Sequence, residues 1–372
     1  MSTQPRLVSR FVRGDDAPTT GVAGTAGTLP VYFGDLHNHT GYSDGRGRPE
    51  QAYAQLRARG LHFAAITDHG EMLAVPAAAR EGVTPATSMH QALPPHGMSA
   101  RDDLAAQAAL ATRDNFLAMR SFEWTSAVQG HVSVWGSAGF TDANRLGHEC
   151  MAGLWAWLAR PAPEGGADGL AGLNHPGAPA GQFHDFAYHP ELEGQLATFE
   201  LFNRDADYFS QHVRALDQGW HLGAIGVSDH HGEDWGSPTH AACGLLAPRL
   251  TWHEVAAALR ARRVYATRER GLGLSFTGNG EWLGSRLTLA AGEPLVLEIR
   301  VERAPDGSPL ECLEVWGSGG YLLGVRDLEG CRRACWTMPV RPPPARESWY
   351  LARVTAANRA LAYSTPIWVR PV

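Results

Sequence analysis

The chain has 372 residues, of which 44% are hydrophobic and 19% are charged, as in a globular protein and unlike a disordered one. Its formal net charge of -6 gives no electrostatic reason to expect a nucleic acid as a partner, because nucleic-acid binding normally requires a basic face. At about 150 residues per domain, the length predicts two domains.

Residues 1–29 are predicted to form an N-terminal extension. The segment is polar and then rich in Gly, Ala and Thr, and no apolar stretch follows its arginines, so no secretory signal is predicted. No apolar run approaches the ~20 residues that span a bilayer, so no membrane partner is expected. The five cysteines lack C-x-x-C spacing, which favours neither a disulfide framework nor a zinc ribbon. A cytoplasmic enzyme is the default expectation.

Between residues 30 and 270, short apolar runs alternate with segments of helical character. They predict strands at 31–36, 63–66, 115–121, 169–173, 196–202 and 222–227, and helices at 49–59, 100–112, 147–158 and 251–261. Strands that alternate with helices imply parallel pairing, which collects functional groups at the C-terminal ends of the strands. We therefore expect an α/β domain over residues 30–270.

After residue 270 the pattern changes to short strands broken by Gly, Pro and Asp turns, without a convincing helix. The predicted strands are 274–276, 294–301, 311–316, 349–355 and 366–369. This pattern is typical of a β-sandwich, and we expect one over residues 271–372.

Four segments at the ends of predicted strands carry residue types that bind metals. They are Asp35-Leu-His37-Asn-His39, Thr67-Asp68-His69, Asn174-His175-Pro176 and Ser228-Asp229-His230-His231. Alternate residues of a strand share a face, so His37 and His39 project together and one metal can bind both. A lone histidine at a strand end is usually structural, but coincidence at four strand ends is much less credible. Such a repetition of imidazole and carboxylate is what a multi-metal hydrolytic site requires.

Three further carboxylates lie near these segments. Asp35 shares a face with the first two histidines and is expected to fix an imidazole tautomer. Asp44, in the turn Tyr42-Ser-Asp-Gly45, is expected to reach back over the strand end. Glu200, at the end of another predicted strand, is either an outer group of the site or a buried structural carboxylate.

The order and spacing of these motifs resemble those of the PHP (polymerase and histidinol phosphatase) domain. The matching pieces are Asp35-Leu-His-Asn-His-Thr40 with Ser43-Asp-Gly45, Ile66-Thr-Asp-His69, an isolated Glu, Asn174-His-Pro176 and Ser228-Asp-x-His231. The later Arg263-Val-Tyr-Ala-Thr267 and Ser364-Thr-Pro-Ile-Trp-Val369 are also similar to the larger PHP-type metallohydrolases grouped with carbaryl hydrolase. The resemblance implies a distorted (β/α)7, TIM-like barrel that holds two or three divalent metal ions, which would be Mn, Fe or Zn.

The resemblance also implies which residues bind each metal. The first metal would take His37, His39, Glu123 and Asp229, the second would take Glu123, His131 and His175, and the third would take Asp44, His69 and His231. Glu123, in Ser121-Phe-Glu-Trp-Thr125, would bridge the first two metals. Asp44 stands where many PHP domains have histidine, so the third site is richer in oxygen and is expected to favour Mn or Fe over Zn.

The expected chemistry is hydrolysis by a metal-bridging hydroxide. Two metals that share Glu123 would lower the pKa of a bridging water and polarise the phosphoryl or acyl oxygen. Asp68, His230 or a metal-bound water would then protonate the leaving group, and the sequence leaves this choice open. Arg263 and Arg268 are candidate ligands for an anionic substrate, although arginines in such runs more often end a solvated helix.

We therefore expect a metal-dependent hydrolase, most simply a phosphomono- or phosphodiesterase with a small anionic substrate. Hydrolysis of a carbamate, carboxylic ester or amide on the same metals is the alternative, since aromatic residues lie near the motifs: Trp124, Trp135, Trp155, Phe183, Tyr188, Phe202 and Trp235. An alternative of another class is a non-catalytic metal-binding scaffold. A serine hydrolase, suggested by Gly41-Tyr-Ser43-Asp-Gly45, is disfavoured because that motif requires a sharp turn from strand into helix. The sequence predicts no oligomeric state.

Overall fold

The computed structural model describes residues 9–14, 29–75, 92, 94–95, 98–177, 181–237, 239, 241–304, 307, 309–357 and 359–372. The α-helices in these ranges are α1 (Pro49–Ala58), α2 (Gly70–Leu73), α3 (Ala100–Ala111), α4 (Met151–Ala159), α5 (Phe209–Asp217) and α6 (Trp252–Arg260). Short 3-10 helices occur at Ala162–Glu164, Gln182–Phe186, Pro190–Leu192 and Ser318–Gly320. No helix among the described residues is long and apolar enough to cross a bilayer.

The strands fall into two groups along the chain. Those up to residue 267 are β1 (Arg10–Arg13), β2 (Val31–Asp35), β3 (Phe63–Ala65), β4 (Leu117–Met119), β5 (Ser121–Ser126), β6 (Gly130–Trp135), β7 (Leu170–Asn174), β8 (Leu196–Asn203), β9 (Ala206–Asp207), β10 (Gly223–Val227), β11 (Ala242–Leu246) and β12 (Val264–Thr267). Those that follow are β13 (Leu272–Gly278), β14 (Glu281–Trp282), β15 (Arg286–Leu289), β16 (Leu295–Arg303), β17 (Cys312–Gly317), β18 (Tyr321–Asp327), β19 (Arg333–Val340), β20 (Ser348–Ala356), β21 (Arg359–Ser364) and β22 (Ile367–Pro371).

The predicted helices are present, with ends displaced by one to four residues. Helix α1 begins at a proline, which suits the first helical position because its missing N–H would have no partner there. Its buried residues, Pro49, Ala52, Tyr53 and Leu56, recur at the spacing of one helix face. Helix α6 is capped by Thr251, whose side chain accepts a hydrogen bond from the Glu254 amide.

Two sheets carry the α/β part. One has the order β10-β8-β7-β6-β5, and the other includes β12-β11-β2-β3-β4. The pairs β2–β3, β3–β4, β7–β8 and β8–β10 are parallel, as predicted. Two strands that the sequence analysis did not predict, β6 and β11, are instead antiparallel to both of their neighbours. For β6 the reason is physical, because only three residues join it to β5 and a parallel crossover needs a dozen or more.

The two sheets meet at isolated bridges beyond two strand ends. Asn38, after β2, bridges His230, after β10, and His69, after β3, bridges Glu123 in β5. The fold of the described residues is therefore mixed α/β, with both bridges at residues of the metal motifs. The ladders between described strands do not run continuously around one ring, so the seven-stranded barrel stays a prediction.

The residues after 270 form β-strands, with no α-helix among those that are described. In β16, Leu295, Leu297, Ile299 and Val301 are buried and alternate with partly exposed residues, which is the pattern of a sheet with one covered face. The sheet β1-β19-β16-β13-β14 includes β1, so the predicted N-terminal extension contributes a strand to this layer. Strand β21 pairs with β12 and joins the C-terminal strands to an α/β sheet.

Candidate metal centre

The predicted metal ligands lie together where β2, β3, β7 and β10 end, beside β5 and β6. Four groups have ligand atoms that all lie within 4.8 Å of one another: His39, Asp44, His69 and His231; His37, Glu123 and His175; His37, His39 and Asp229; and His69, Glu123 and His131. All nine residues that were predicted to bind metals belong to at least one of these groups. Side chains from six strands or strand ends thus converge on one region.

Glu123 occupies the middle of this region and is completely buried. The ring nitrogens nearest to its Oε1 are those of His37 (Nε2, 3.4 Å), His131 (Nδ1, 3.3 Å) and His175 (Nε2, 3.4 Å), and those nearest to its Oε2 are those of His39 (Nε2, 3.6 Å) and His69 (Nδ1, 2.9 Å). The Asn174 amide donates a hydrogen bond of 2.7 Å to Oε1 and fixes the carboxylate plane. One buried carboxylate therefore faces five imidazoles.

His37 and His39 point at the same place, as the alternation of side chains along a strand predicts. Their Nε2 atoms are 3.0 Å apart, and Asp229 Oδ1 lies 3.3 Å from each of them. Two imidazole lone pairs and a carboxylate oxygen directed at one point form a typical donor set for a divalent cation.

Asp44 closes the outer side of the region. Its carboxylate oxygens lie 3.4 Å from His69 Nε2, 3.3 Å from His231 Nε2 and 3.4 Å from His39 Nδ1. The Asp44 side chain is 33% exposed, whereas that of Glu123 is 0% exposed. The third group of ligands is therefore the one nearest to solvent.

The His37 ring nitrogen that faces away from the cluster contacts a buried carboxylate. Glu200 Oε1 lies 2.7 Å from His37 Nδ1, and Glu200 Oε2 accepts a 2.7 Å hydrogen bond from the His175 amide. The carboxylate beside the His37 ring is thus Glu200, whereas Asp35 Oδ1 accepts main-chain hydrogen bonds from His37 and Ser228. Such outer contacts fix the tautomer and orientation of a ligating imidazole.

Asp68 is completely buried and anchors the loop after β2. It accepts hydrogen bonds from the Thr40 amide (2.7 Å), the Thr40 hydroxyl (2.6 Å) and the Ser43 hydroxyl (2.5 Å). Ser43 Oγ in turn lies 3.3 Å from His39 Nδ1. Ser43 is 0% exposed, and its hydroxyl donates a hydrogen bond to Asp68. It is therefore not placed to act as the nucleophile of a serine hydrolase.

Two of the ligands have strained backbones. Asp229 has a φ of 47° and His175 a φ of 26°, and such positive values are unfavourable for residues other than glycine. The Asp229 amide donates to the His37 carbonyl (2.9 Å), and the His175 amide donates to Glu200. These contacts hold the conformations that aim both side chains inward, as is common at functional sites.

The charges of the region shift several pKa values. Burial opposes ionisation of Glu123, but the charge of His37 and the contacts with His131 and His175 hold its pKa well below the usual range. Burial likewise opposes the Asp229 charge, while His37 and His39 lower the pKa of Asp229 below its ordinary value. Both carboxylates are therefore ionised at neutral pH, as metal ligands must be.

The donors fit the divalent ions that the motifs imply. His131 Nδ1 is buried and has no hydrogen-bond partner among the described residues, although Glu123 Oε1 lies 3.3 Å away. A buried nitrogen left in this state is costly unless something else binds it. Imidazole and carboxylate ligands suit Mn, Fe or Zn.

The structure does not bring Arg263 and Arg268 into this cluster. Arg263 precedes Val264, which pairs with Leu245 near the beginning of β2, at the opposite end of the strands from the ligands. Arg268 donates to the carbonyls of Arg204 (3.1 Å), Asp205 (2.9 Å) and Ala206 (2.9 Å), so it binds a turn of its own chain.

Arg204 is the arginine at the site, and the sequence analysis did not select it. Its Nη2 lies 2.9 Å from His231 Nδ1 and 3.3 Å from Asp229 Oδ2. Its position shortly after a predicted strand, which it shares with several candidate ligands, could have pointed to it. A single arginine at such a position does not predict a functional role unless its contacts with His231 and Asp229 are known.

A cavity of about 720 Å³ opens beside the third group of ligands. It is lined by Arg204, Asp205, Ser228, Asp229, His230, His231, Gly232 and Thr239. Six of the seven aromatic residues considered for an apolar pocket are buried in the hydrophobic cores instead: Trp124, Trp135, Trp155, Phe183, Phe202 and Trp235. No hydrophobic side chain is among the described residues that line the cavity.

A family model for the PHP domain matches residues 35–120 of the chain. No curated protein sequence matches it. Among solved structures, it resembles a two-domain protein from Bacteroides vulgatus that contains a predicted PHP-like metal-dependent phosphoesterase, with 17% identity, 91% of this chain and 95% of the other covered, and a TM-score of 0.49.

Two further structures are each 17% identical to the chain. An amidohydrolase from Chromobacterium violaceum covers 63% of this chain and 97% of its own, and a protein from Bifidobacterium adolescentis, itself a predicted metal-dependent phosphoesterase, covers 62% and 96%. Both have TM-scores of 0.31. At this identity, and with TM-scores below 0.5, the three structures do not bear on the activity of this chain.

Proposed function

Because the chain contains a PHP domain, as its motifs predict, we propose that it is a metal-dependent hydrolase of phosphate esters. The observation that carries the proposal is the convergence of five imidazoles on the buried carboxylate of Glu123. A protein gains nothing in packing from so many ionisable groups in one place, and their burial is costly unless cations bind them.

The proposed ligand sets are those that the resemblance implies, and they recombine residues of the four groups in the structure. His37, His39, Glu123 and Asp229 would hold one ion, Glu123, His131 and His175 a second, and Asp44, His69 and His231 a third. When bound, the ions would supply Lewis-acid activation of water and neutralise charge that develops on the phosphoryl oxygens. Glu200 and the pair of Ser43 and Asp68 would keep two of the imidazoles in the orientation that the ions need.

Of the two residues proposed as proton donors, the geometry favours His230 over Asp68. Both Asp68 oxygens accept hydrogen bonds from Thr40 or Ser43, and the side chain is buried away from the cavity. His230 lines the cavity, and its Nε2 lies 2.7 Å from Asp234 Oδ1. Burial lowers the pKa of His230, and the Asp234 carboxylate opposes this shift and would help the ring to carry a proton beside a bound ester.

The side chains that line the cavity favour phosphorus chemistry over carbamate or carboxylic ester hydrolysis. An aryl carbamate needs an apolar pocket, and no hydrophobic side chain is among the described residues that line the cavity. Their charged groups instead suit a charged substrate. A pure scaffold needs no solvent-accessible ligands, yet Asp229 and His231 both reach the cavity.

We also propose the larger architecture that accompanies this function. Residues 30–270 would form the distorted (β/α)7 barrel, with the two isolated bridges completing the ring of strands. Residues 271–372 would form the β domain of the carbaryl-hydrolase-like group.

The test is metal content per chain, measured by mass spectrometry on protein purified without chelator, together with hydrolysis of aryl phosphate, bis-aryl phosphate and aryl carbamate. The chain should hold two or three transition-metal ions and prefer a phosphate ester, and a His37→Ala/His39→Ala variant should lose metal and activity together. His253→Ala is a matched control, since that side chain is 88% exposed and remote from the cluster. Metal that survives the double substitution would contradict the site assignment, and a preference for the carbamate would contradict the substrate class.

A further inference from the structure

We propose that Arg204 anchors the phosphoryl group of the substrate at the metal centre and that Arg268 positions Arg204. This inference rests on the proposed hydrolysis of phosphate esters and names a substrate-binding residue and its support at the same site.

Arg204 stands between the ligands and the cavity. Its Nε and Nη2 donate to the Asp229 carbonyl at 3.1 and 2.9 Å, and its side chain is 58% exposed. Among the described residues that line the cavity it is the only arginine, and the chain contains no lysine. Within that described lining, the cations available to an anionic substrate are Arg204 and the histidines.

The contacts of Arg204 leave part of its guanidinium available. A guanidinium has five N–H donors. Those of Nε and Nη2 face the Asp229 carbonyl and His231 Nδ1, whereas no described residue accepts a hydrogen bond from Nη1. The Nη1 donors can therefore bind a phosphoryl oxygen without breaking the contacts that place the side chain.

Arg268 fixes the turn that presents Arg204. Arg204 has a φ of 52°, which costs energy in a residue other than glycine, and its carbonyl accepts a hydrogen bond from Arg268 Nη1. Arg268 Nη2 binds the next two carbonyls of the turn, and its guanidinium lies 4.2 Å from the centre of the Phe202 ring. Its donors are engaged in this turn, so Arg268 acts through Arg204 and not on the substrate.

The experiment compares the full-length, metal-loaded protein with Arg204→Met, Arg204→Lys, Arg268→Met and the double variant Arg204→Met/Arg268→Met. Arg214→Met is the control, because Arg214 is also 58% exposed but pairs with Asp185. The readouts are metal content, kinetics with p-nitrophenyl phosphate and glycerol phosphate, and calorimetric binding of inorganic phosphate.

We expect Arg204→Met to keep its metal, to raise KM and the Kd for phosphate, and to lose roughly 10- to 100-fold in kcat/KM, the usual effect of one charge-assisted contact. Arg204→Lys should recover only part of this loss, because lysine keeps the charge but not the fork. Arg268→Met should show a smaller loss, and the double variant should be no worse than Arg204→Met, since residues that act through one another are not additive.

Three results would overturn the inference. Unchanged phosphate binding in Arg204→Met and Arg204→Lys would exclude a role for Arg204 in binding the substrate. Loss of metal in those variants would mean that Arg204 holds Asp229 and His231 instead. Multiplicative losses in the double variant would exclude the role of Arg268. A wild-type protein that binds metal but hydrolyses no phosphate ester would instead refute the proposed function, so the two failures are distinguishable.

Discussion

Glu200 illustrates how a residue that need not touch a metal can govern its binding. Its two oxygens contact the His37 ring and the His175 amide, so one buried carboxylate orients ligands from two proposed metal sites. Removal of its charge weakens the imidazole as a ligand and loosens the strained backbone at His175.

We expect Glu200→Gln to lower metal affinity by about 10- to 100-fold, while the fold is retained. Titration of the metal-free protein with Mn or Zn, followed by calorimetry, measures this directly. Glu193→Gln serves as the comparison, because Glu193 contacts His221 and Arg286. Equal affinities in the two variants would show that Glu200 is only a structural carboxylate.

Most of the candidate ligands could be selected from the sequence because they stand in short local patterns, as His37 and His39 do two residues apart, whereas Glu123 and His131 were selected only through the family resemblance. The residues that the sequence left undecided or omitted depend on distant contacts. Glu200 meets His37 across 163 positions of the chain, and the role of Arg204 depends on a turn held by Arg268. Local spacing carries no information about such pairs.

His212 is a buried residue whose titration opposes folding. Burial lowers its pKa to about 3, so between pH 6.5 and 3 the unfolded chain binds a proton that the folded chain does not. This cost is absent above pH 6.5 and grows as the pH falls, by about 1.4 kcal/mol per pH unit.

A His212→Leu variant should therefore gain stability relative to wild type by about 2 kcal/mol between pH 7.5 and pH 5. Urea unfolding of both proteins in a chelator measures the difference without a contribution from metal loss. A difference that does not change with pH would contradict the burial of a neutral imidazole.

At the scale of elements, an ion cluster ties the connection before β10 to the C-terminal strands. His221 is almost fully buried, with Glu193 and Glu347 each 2.7 Å from one of its ring nitrogens and Arg286 of β15 beside both carboxylates. Burial opposes the imidazolium, but Glu193 and Glu347 raise the pKa of His221. The pKa of His221 is therefore shifted in the opposite direction from the pKa of His212.

Stabilisation by His221 is complete below the unfolded pKa of about 6.5 and is lost as the pH rises through the raised folded pKa. We expect His221→Gln to lower the free energy of unfolding by about 1–3 kcal/mol at pH 6, and by progressively less at higher pH. Unfolding curves at pH 6, 7.5 and 9 test this, and an equal loss at all three would exclude a charged His221.

Several of the strands that the sequence missed have weak local signals. β6, β18 and β21 each form a hairpin with the preceding strand, and β6, β18 and β19 contain Gly or Pro. Their strand conformation comes from tertiary pairing more than from local preference. Four of the six α-helices were predicted, whereas the short α2 and α5 were not.

At the scale of the whole molecule, one sheet crosses the predicted boundary at residue 270. β12 pairs with β11 on one side and with β21 on the other, so removal of the C-terminal strands would expose an edge of the α/β sheet. Division of the chain after residue 270 would therefore separate strands of one sheet instead of cutting a linker.

We therefore expect a variant that ends at Arg270 to be insoluble or unfolded instead of a metal-binding unit. Soluble yield, circular dichroism and metal content of the truncated and full-length chains provide the measurement. A truncated chain that is folded and holds metal would show that the boundary at residue 270 separates autonomous domains.

The pairing of β1 with β19 also has a consequence for biosynthesis. Arg10 lies opposite Thr337, so β1, the first described strand to leave the ribosome, pairs with a strand that is synthesised near the end of translation. At translation rates of about 5–20 residues per second, the nascent β1 waits tens of seconds for its neighbour. During translation this segment is therefore accessible to chaperones or to another growing chain, and the β layer can close only when synthesis is nearly finished.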